Sequence, residues 1–117
     1  MRHPRCYDSI LDVIGDTPVV RLNRIAAGLP FPVYAKLEFL NPMGSSKDRI
    51  AKFLVEAAEK DGRLHPGDLI IENSSGNTAM GLAMVAIQKG YKLKAIVRDR
   101  TSKEKLDQLR ALGVDVH

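Results

Sequence analysis

The chain has 117 residues, 44% of them hydrophobic and 27% charged; that suits one globular domain with its own core and excludes a disordered or low-complexity tract. Eighteen basic against 14 acidic residues give a net charge of +4, and no tryptophan is present, so the basic run from Lys89 to Lys105, with Tyr91 as its only aromatic, reads as a solvated helix and strand edge and not as a nucleic-acid surface. No apolar run approaches the roughly 20 residues that span a bilayer, the basic start at 1–8 leads into no apolar signal core, and the lone Cys6 excludes an internal disulfide framework, so a soluble, cytoplasmic protein is expected.

Two hydrophobic periods alternate along the chain. Residues 18–22 and 33–37 read as strands, the second after the turn-rich stretch 28–32. A helix is expected over 48–60, with Ile50, Phe53, Leu54, Ala57 and Ala58 as its apolar stripe and Gly62 as its stop. After the turn His65-Pro66-Gly67-Asp68, residues 69–71 form a short apolar strand. A second helix over 78–89 is apolar at Met80, Met84, Val85 and Ile87 and ends at Gly90. Residues 93–97 make the next strand. Thr101 and Glu104 then fit a capping box that opens a helix to Leu112, and Gly113 precedes a further strand at 114–116. Strands alternating with helices describe βαβ units, hence an α/β fold with a parallel sheet covered by helices in three layers. Ligands bind such sheets at the carboxyl ends of the strands. Two polar, glycine-containing loops fall there, at 41–47 and 72–78, each leading into a helix.

Lys47 stands at a helix mouth, where the macrodipole favours anions, so its ammonium gains nothing there. In a partly dry pocket the neutral amine becomes available for Schiff-base chemistry; the alternative is a side chain that reaches solvent or pairs with Asp48. A Walker A loop is excluded, because Gly44-Ser45-Ser46-Lys47-Asp48 lacks the Gly-Lys-Ser/Thr ending. The second loop offers hydroxyls from Ser74, Ser75 and Thr78, the amide of Asn77, and backbone N–H groups freed by Gly76. These suit a carboxylate or phosphate. Helix capping is the simpler reading, but capping needs one such residue and four lie within five positions. Cys6, His3, His65 and His117 carry no functional signal.

Asn41-Pro42-Met43-Gly44-Ser45-Ser46-Lys47-Asp48-Arg49 closely resembles the Asn-Pro-x-Gly-Ser-x-Lys-Asp-Arg segment of the cysteine synthase and cystathionine β-synthase family, which are fold-type II enzymes dependent on pyridoxal phosphate. Ser74-Ser75-Gly76-Asn77-Thr78 is similar to that family's Thr-Ser-Gly-Asn-Thr loop, and Ile14-Gly15-Asp16-Thr17-Pro18-Val19-Val20-Arg21-Leu22 to its Ile-Gly-Asn-Thr-Pro-Leu-Val-Arg-Leu opening. The resemblance covers nearly all of the chain from Ser9 onward. It implies that Lys47 holds pyridoxal 5'-phosphate as the internal aldimine and shuttles the α-proton. It further implies that Asn77 hydrogen-bonds the ring 3-hydroxyl, and that Ser74, Ser75, Gly76, Asn77 and Thr78 bind the substrate α-carboxylate. The implied reaction is β-replacement: O-acetylserine, O-phosphoserine or serine loses its β-substituent and a thiol, sulfide or amine takes its place.

Met43, Ser46, Asn73 and Ala79 depart from the family pattern around the substrate, which leaves leaving group and nucleophile open. The family's phosphate-cradling loop and its partner for the pyridine nitrogen have no counterpart here. The resemblance therefore divides the chain into 1–32, a segment that would belong to the large domain, and 33–117, the small domain. The expected protein is the N-terminal portion of a homodimeric enzyme, completed by a C-terminal half or a complementing chain. A diaminopropionate synthase or β-eliminating lyase of the same fold is the nearest alternative, and a non-catalytic interaction module the alternative of another class.

Overall fold

The computed structural model describes residues 6–117; residues 1–5, with His3 and much of the basic start, lie outside the described residues. A 3-10 turn at Ile10–Val13 opens the described chain, with the Ser9 hydroxyl accepting from the Leu11 N–H at 3.2 Å. Leu11 points into the core.

Strands β1 (Val19–Arg21) and β2 (Tyr34–Lys36) pair antiparallel as a sheet of their own, in the register Val19↔Lys36, Val20↔Ala35 and Arg21↔Tyr34. The expected strand at 33–37 is therefore present, but it does not begin the parallel sheet. Its ladder edge is taken by β1, and backbone bonds from Leu22 N–H to the Val33 carbonyl and from Leu37 N–H to the Pro18 carbonyl extend the hairpin at both ends.

A 3-10 turn at Glu38–Leu40 and the loop 41–46 lead into α1 (Lys47–Lys60). The face of α1 that is buried is Asp48, Ala51 and Val55, spaced by three and four residues. The apolar stripe expected from the sequence faces outward instead: Ile50, Phe53 and Leu54 are 43%, 67% and 55% exposed. Close helix packing decided the rotation, because small Ala51 and not bulky Phe53 fits against the next helix.

That helix, α2 (Asn77–Lys89), is buried almost all round from Ala79 to Ala86, as befits the centre of a domain. It ends where Gly90 turns left-handed (φ +77°) and the Tyr91 N–H bonds the Ala86 carbonyl at 2.9 Å. Strands β3 (Leu69–Glu72), β4 (Lys92–Ala95) and β5 (Asp115–Val116) form the parallel sheet in sequential order, with α3 (Lys103–Ala111) crossing between β4 and β5. Leu93, Ala95, Leu109 and Val114 join Ala79 to Ala86 in one core.

The parallel α/β class expected from the sequence is what the structure has. Two right-handed crossovers running in one direction along a sheet put both helices on the same face. The opposite face, bearing Ile71, Lys92 and Lys94, has no helix against it among the described residues, and Ile71 is 62% exposed. No helix among the described residues is long and apolar enough to cross a membrane.

Candidate functional site

The three loops that enter α1, α2 and α3 gather the polar residues singled out in the sequence. The starts of α1 and α2 are brought together at a glycine. Gly81 lies on the face of α2 that meets α1, and a Cβ built there would stand 3.0 Å from the Lys47 carbonyl oxygen and 3.1 Å from Ala51 Cβ. The two helices thus touch backbone to backbone at the first turn of α1. Asn77 is one turn, about 6 Å of rise, ahead of Gly81, so the openings of α1 and α2 lie side by side.

Lys47 is the first residue of α1 and is half-buried. Its N–H donates to the Ser45 hydroxyl at 3.1 Å, while its Nζ has no hydrogen-bond or ion-pair partner among the described residues. The alternative pairing with Asp48 does not occur. Asp48 is fully buried: its Oδ2 accepts the Met43 N–H at 2.6 Å, and its Oδ1 has no partner. Burial pushes the Asp48 carboxyl up from its ordinary value, against the opposing pull of the Met43 N–H. The carboxylate serves to fold the loop 43–48 back on the helix start.

At the mouth of α2, the Ser74 hydroxyl accepts the Gly76 N–H at 3.1 Å. The N-cap is Gly76 itself, with no side-chain cap bond. Ser75, Asn77 and Thr78 make no side-chain hydrogen bond among the described residues. The capping reading of this loop therefore accounts for one hydroxyl of the set. Ser74, Ser75, Gly76 and Thr78 are half-buried and Asn77 is exposed. The first N–H groups of α2 and the remaining hydroxyls are open to an anion.

The capping box expected at Thr101 and Glu104 does not form. Ser102 occupies the N-cap of α3 without a side-chain bond, and the Thr101 N–H closes a turn on the Arg98 carbonyl at 2.9 Å. That turn shifts the helix start by one residue. A cavity of about 470 Å³ lies between this turn and the loop 73–76. Three cations of the basic run, Arg98, Arg100 and Lys105, line it.

Sequence reasoning passed over the polar network beneath the Lys47 loop. Glu38 is its hub: Arg49 Nε donates to Oε2 at 2.9 Å, Arg49 Nη2 to Oε1 at 3.1 Å, and the Thr17 hydroxyl to Oε1 at 2.6 Å. Asn41 Nδ2 donates to Glu38 Oε2 at 3.0 Å, and Asn41 Oδ1 accepts the Gly15 N–H at 3.0 Å. Thr17 and Asn41 are buried. The Arg49 guanidinium first, and the Thr17 hydroxyl second, hold the Glu38 carboxyl down to about 2. Gly15 is required by this network: its φ is +102°, and a Cβ there would lie 3.1 Å from Arg49 Nη1. The available signal was that Thr17, Asn41 and Arg49 sit inside the recognised motifs yet have no part in the chemistry those motifs imply.

Comparison with known proteins gives a consistent result. The sequence profile described as pyridoxal-phosphate dependent enzyme matches residues 10–117. Cystathionine beta-synthase of Rattus norvegicus is 49% identical over 117 residues, which is 98% of this chain and 21% of that protein. The probable cysteine synthase of Bacillus subtilis (strain 168) is 50% identical over 105 residues, 90% of this chain and 34% of that one. Among solved structures, O-ureido-L-serine synthase superposes with a TM-score of 0.89 at 46% identity, over 97% of this chain and 35% of its own. A hydrogen sulfide-producing enzyme from Fusobacterium nucleatum gives 0.90 at 43% identity, over 97% and 37%. The chain thus spans between a fifth and rather more than a third of the length of the proteins it matches.

Proposed function

The chain belongs to the pyridoxal-phosphate dependent enzyme family, and from that membership we propose that it carries the cofactor lysine and the carboxylate loop of a β-replacement enzyme of the cysteine synthase kind. One observation carries the assignment. The first turn of α1 is pressed against α2 at Gly81, one turn after Asn77, so that Lys47, whose amine has no partner among the described residues, and the uncapped loop 74–78 belong to adjoining helix starts.

The residues present fit the cofactor. Lys47 Nζ has no competing partner among the described residues, and the Asn77 amide, one turn from the Gly81 contact, is equally free. Lys47 would hold the cofactor through its amine, and Asn77 would donate to the ring 3-hydroxyl. When bound, the cofactor supplies an electron sink for the pair released at the substrate Cα. The chain's own groups do the rest. Ser74, Ser75, Gly76, Asn77 and Thr78 orient the α-carboxylate through hydroxyls and helix N–H groups. Lys47 Nζ would take the α-proton and return a proton to Cα after the nucleophile has added at Cβ.

The substrate class is a serine activated at its β-oxygen, with sulfide, a thiol or an amine as nucleophile. β-Elimination is the second reading, favoured by the likeness to a hydrogen sulfide-producing enzyme. In this reading residues 33–117 are the small domain and 1–32 belong with a larger one, which supplies the cradle for the cofactor phosphate and the partner for its ring nitrogen. The protein acts in the cytoplasm as a homodimer. The share of the relatives' length that is matched supports polypeptide beyond these 117 residues.

Borohydride reduction of the holoenzyme, followed by peptide mass mapping, tests the assignment. The cofactor should be fixed on the peptide containing Lys47. Lys47→Ala should abolish that adduct and lower kcat about a hundredfold or more. An adduct on any other lysine would sink the assignment.

A further inference from the structure

The cavity between the loop 73–76 and the start of α3 has no function in the scheme above. Its wall carries Arg98, Arg100 and Lys105, together with the hydroxyls of Thr101 and Ser102, and no acidic residue lines it. None of the three cations has an ion-pair partner among the described residues; the neighbouring ion pairs, Lys94 with Asp115 and Arg110 with Asp107, leave them aside. The nine-residue helix α3 starts at this wall without a side-chain cap. Three exposed cations without ion-pair partners, two hydroxyls and a helix start line a cavity of about 470 Å³, an arrangement that suits a tetrahedral, doubly charged oxyanion with several acceptor atoms. The opposite wall is the loop already assigned to the α-carboxylate, so an occupant anchored there has its far end among the cations.

We propose that this cavity is the leaving-group subsite, and that it selects an amino acid carrying a phosphate ester on its β-carbon. The inference rests on the β-replacement reading of the same site. In the step it serves, Lys47 Nζ takes the Cα proton, the Cα–H pair becomes the second bond between Cα and Cβ, and the Cβ–O bond breaks with its pair going to the departing inorganic phosphate. No oxidant or reductant is consumed. Arg98, Arg100 and Lys105 meet the charge that grows on the phosphate as that bond breaks. A single carboxylate would leave two of the three cations unmatched.

Turnover of O-phospho-L-serine and of O-acetyl-L-serine by the holoenzyme, with sulfide as common nucleophile, tests the proposal alongside calorimetric titration with inorganic phosphate. In the double variant Arg98→Ala, Arg100→Ala, the ratio of kcat/KM for the phosphate ester to that for the acetate ester should fall about tenfold or more, and phosphate binding should weaken by a similar factor. The variant Arg98→Lys, Arg100→Lys, which keeps the charge and loses the fork, should recover part of the ratio. An unchanged ratio, or phosphate binding indifferent to both variants, overturns the proposal. A loss confined to the KM of an acidic amine nucleophile such as L-glutamate, at constant donor ratio, assigns the cations to the second substrate and overturns it equally. If neither ester is consumed or perturbs the cofactor absorbance of the wild type, the β-replacement reading itself fails, and the substrate assignment of the cavity falls with it.

Discussion

Asp48 shows how one buried carboxyl shapes the lysine loop. Its Oδ2 accepts the Met43 N–H at 2.6 Å, yet its Oδ1 is buried without a partner. Desolvation raises its pKa, with the nearby Glu38 charge acting in the same direction. A carboxyl whose folded pKa lies above its unfolded one is held most favourably when protonated, so its contribution to stability declines as pH rises through the ordinary value near 3.8 and towards the folded pKa. Asp48→Asn keeps an acceptor for Met43 and removes the charge. The thermal midpoint of this variant should gain on the wild type as pH rises from about 3 to 7. Asp48→Ala leaves the Met43 N–H without its acceptor and should destabilise by about 1–3 kcal/mol at neutral pH. Differential scanning across pH separates the two variants. A wild type that gains on Asp48→Asn with rising pH would assign the carboxylate a stabilising charge.

At the scale of elements, the seam between α1 and α2 decides where Lys47 stands. Alanine at position 81 would gain about 1 kcal/mol of helix propensity over glycine. It would also place a Cβ 3.0 Å from the Lys47 carbonyl and 3.1 Å from Ala51 Cβ, groups that move only if the helices part. Overpacking of that kind costs about 1–3 kcal/mol, so the steric term wins. Gly81→Ala should lower the thermal midpoint slightly, and Gly81→Val more. Both should reduce the yield of the borohydride-fixed Lys47 adduct, because parting the helices displaces the lysine from the loop 74–78. Undiminished adduct in Gly81→Val would show that the seam does not position it.

Much of this was legible in the chain. The second helix, its stop at Gly90 and the two chemistry-bearing loops are set by local periodicity and turn residues, and the structure places them within one or two residues of expectation. The outward turn of Ile50, Phe53 and Leu54 was not legible, because it depends on which neighbour α1 meets. The antiparallel pairing of β2 with β1 was hidden for the same reason, since a three-residue strand carries no mark of its partner. The cations at 98, 100 and 105 are exposed, as the solvated reading of the run expects; that the turn at 98–101 sets them around one cavity was not legible.

For the molecule as a whole, the radius of gyration is 17.3 Å, with extents of 52 × 38 × 27 Å, where a compact domain of this length would have about 13 Å. The β1–β2 hairpin and the segment before it are joined to the helical body by few ties. Leu11 enters the core, Lys52 Nζ donates to the Leu11 carbonyl at 3.1 Å, and the Glu38 network links Thr17 and Gly15 to Arg49 of α1. With its pKa held near 2, Glu38 contributes stability that is fully present above the ordinary value of 4.5 and is lost as pH falls towards 2. Glu59, held down by Lys89 and then Tyr91, adds to the same acid branch from the far side of α1. The thermal midpoint should therefore decline between about pH 5 and 2, and Glu38→Gln should flatten that decline without removing the part due to Glu59. Because the network also seats Asn41 beneath the lysine loop, Glu38→Gln should weaken retention of the cofactor by Lys47 at neutral pH, where a purely local surface pair would leave it unaltered. An acid branch with unchanged slope in Glu38→Gln would mean that the Glu38 network does not hold the hairpin to α1.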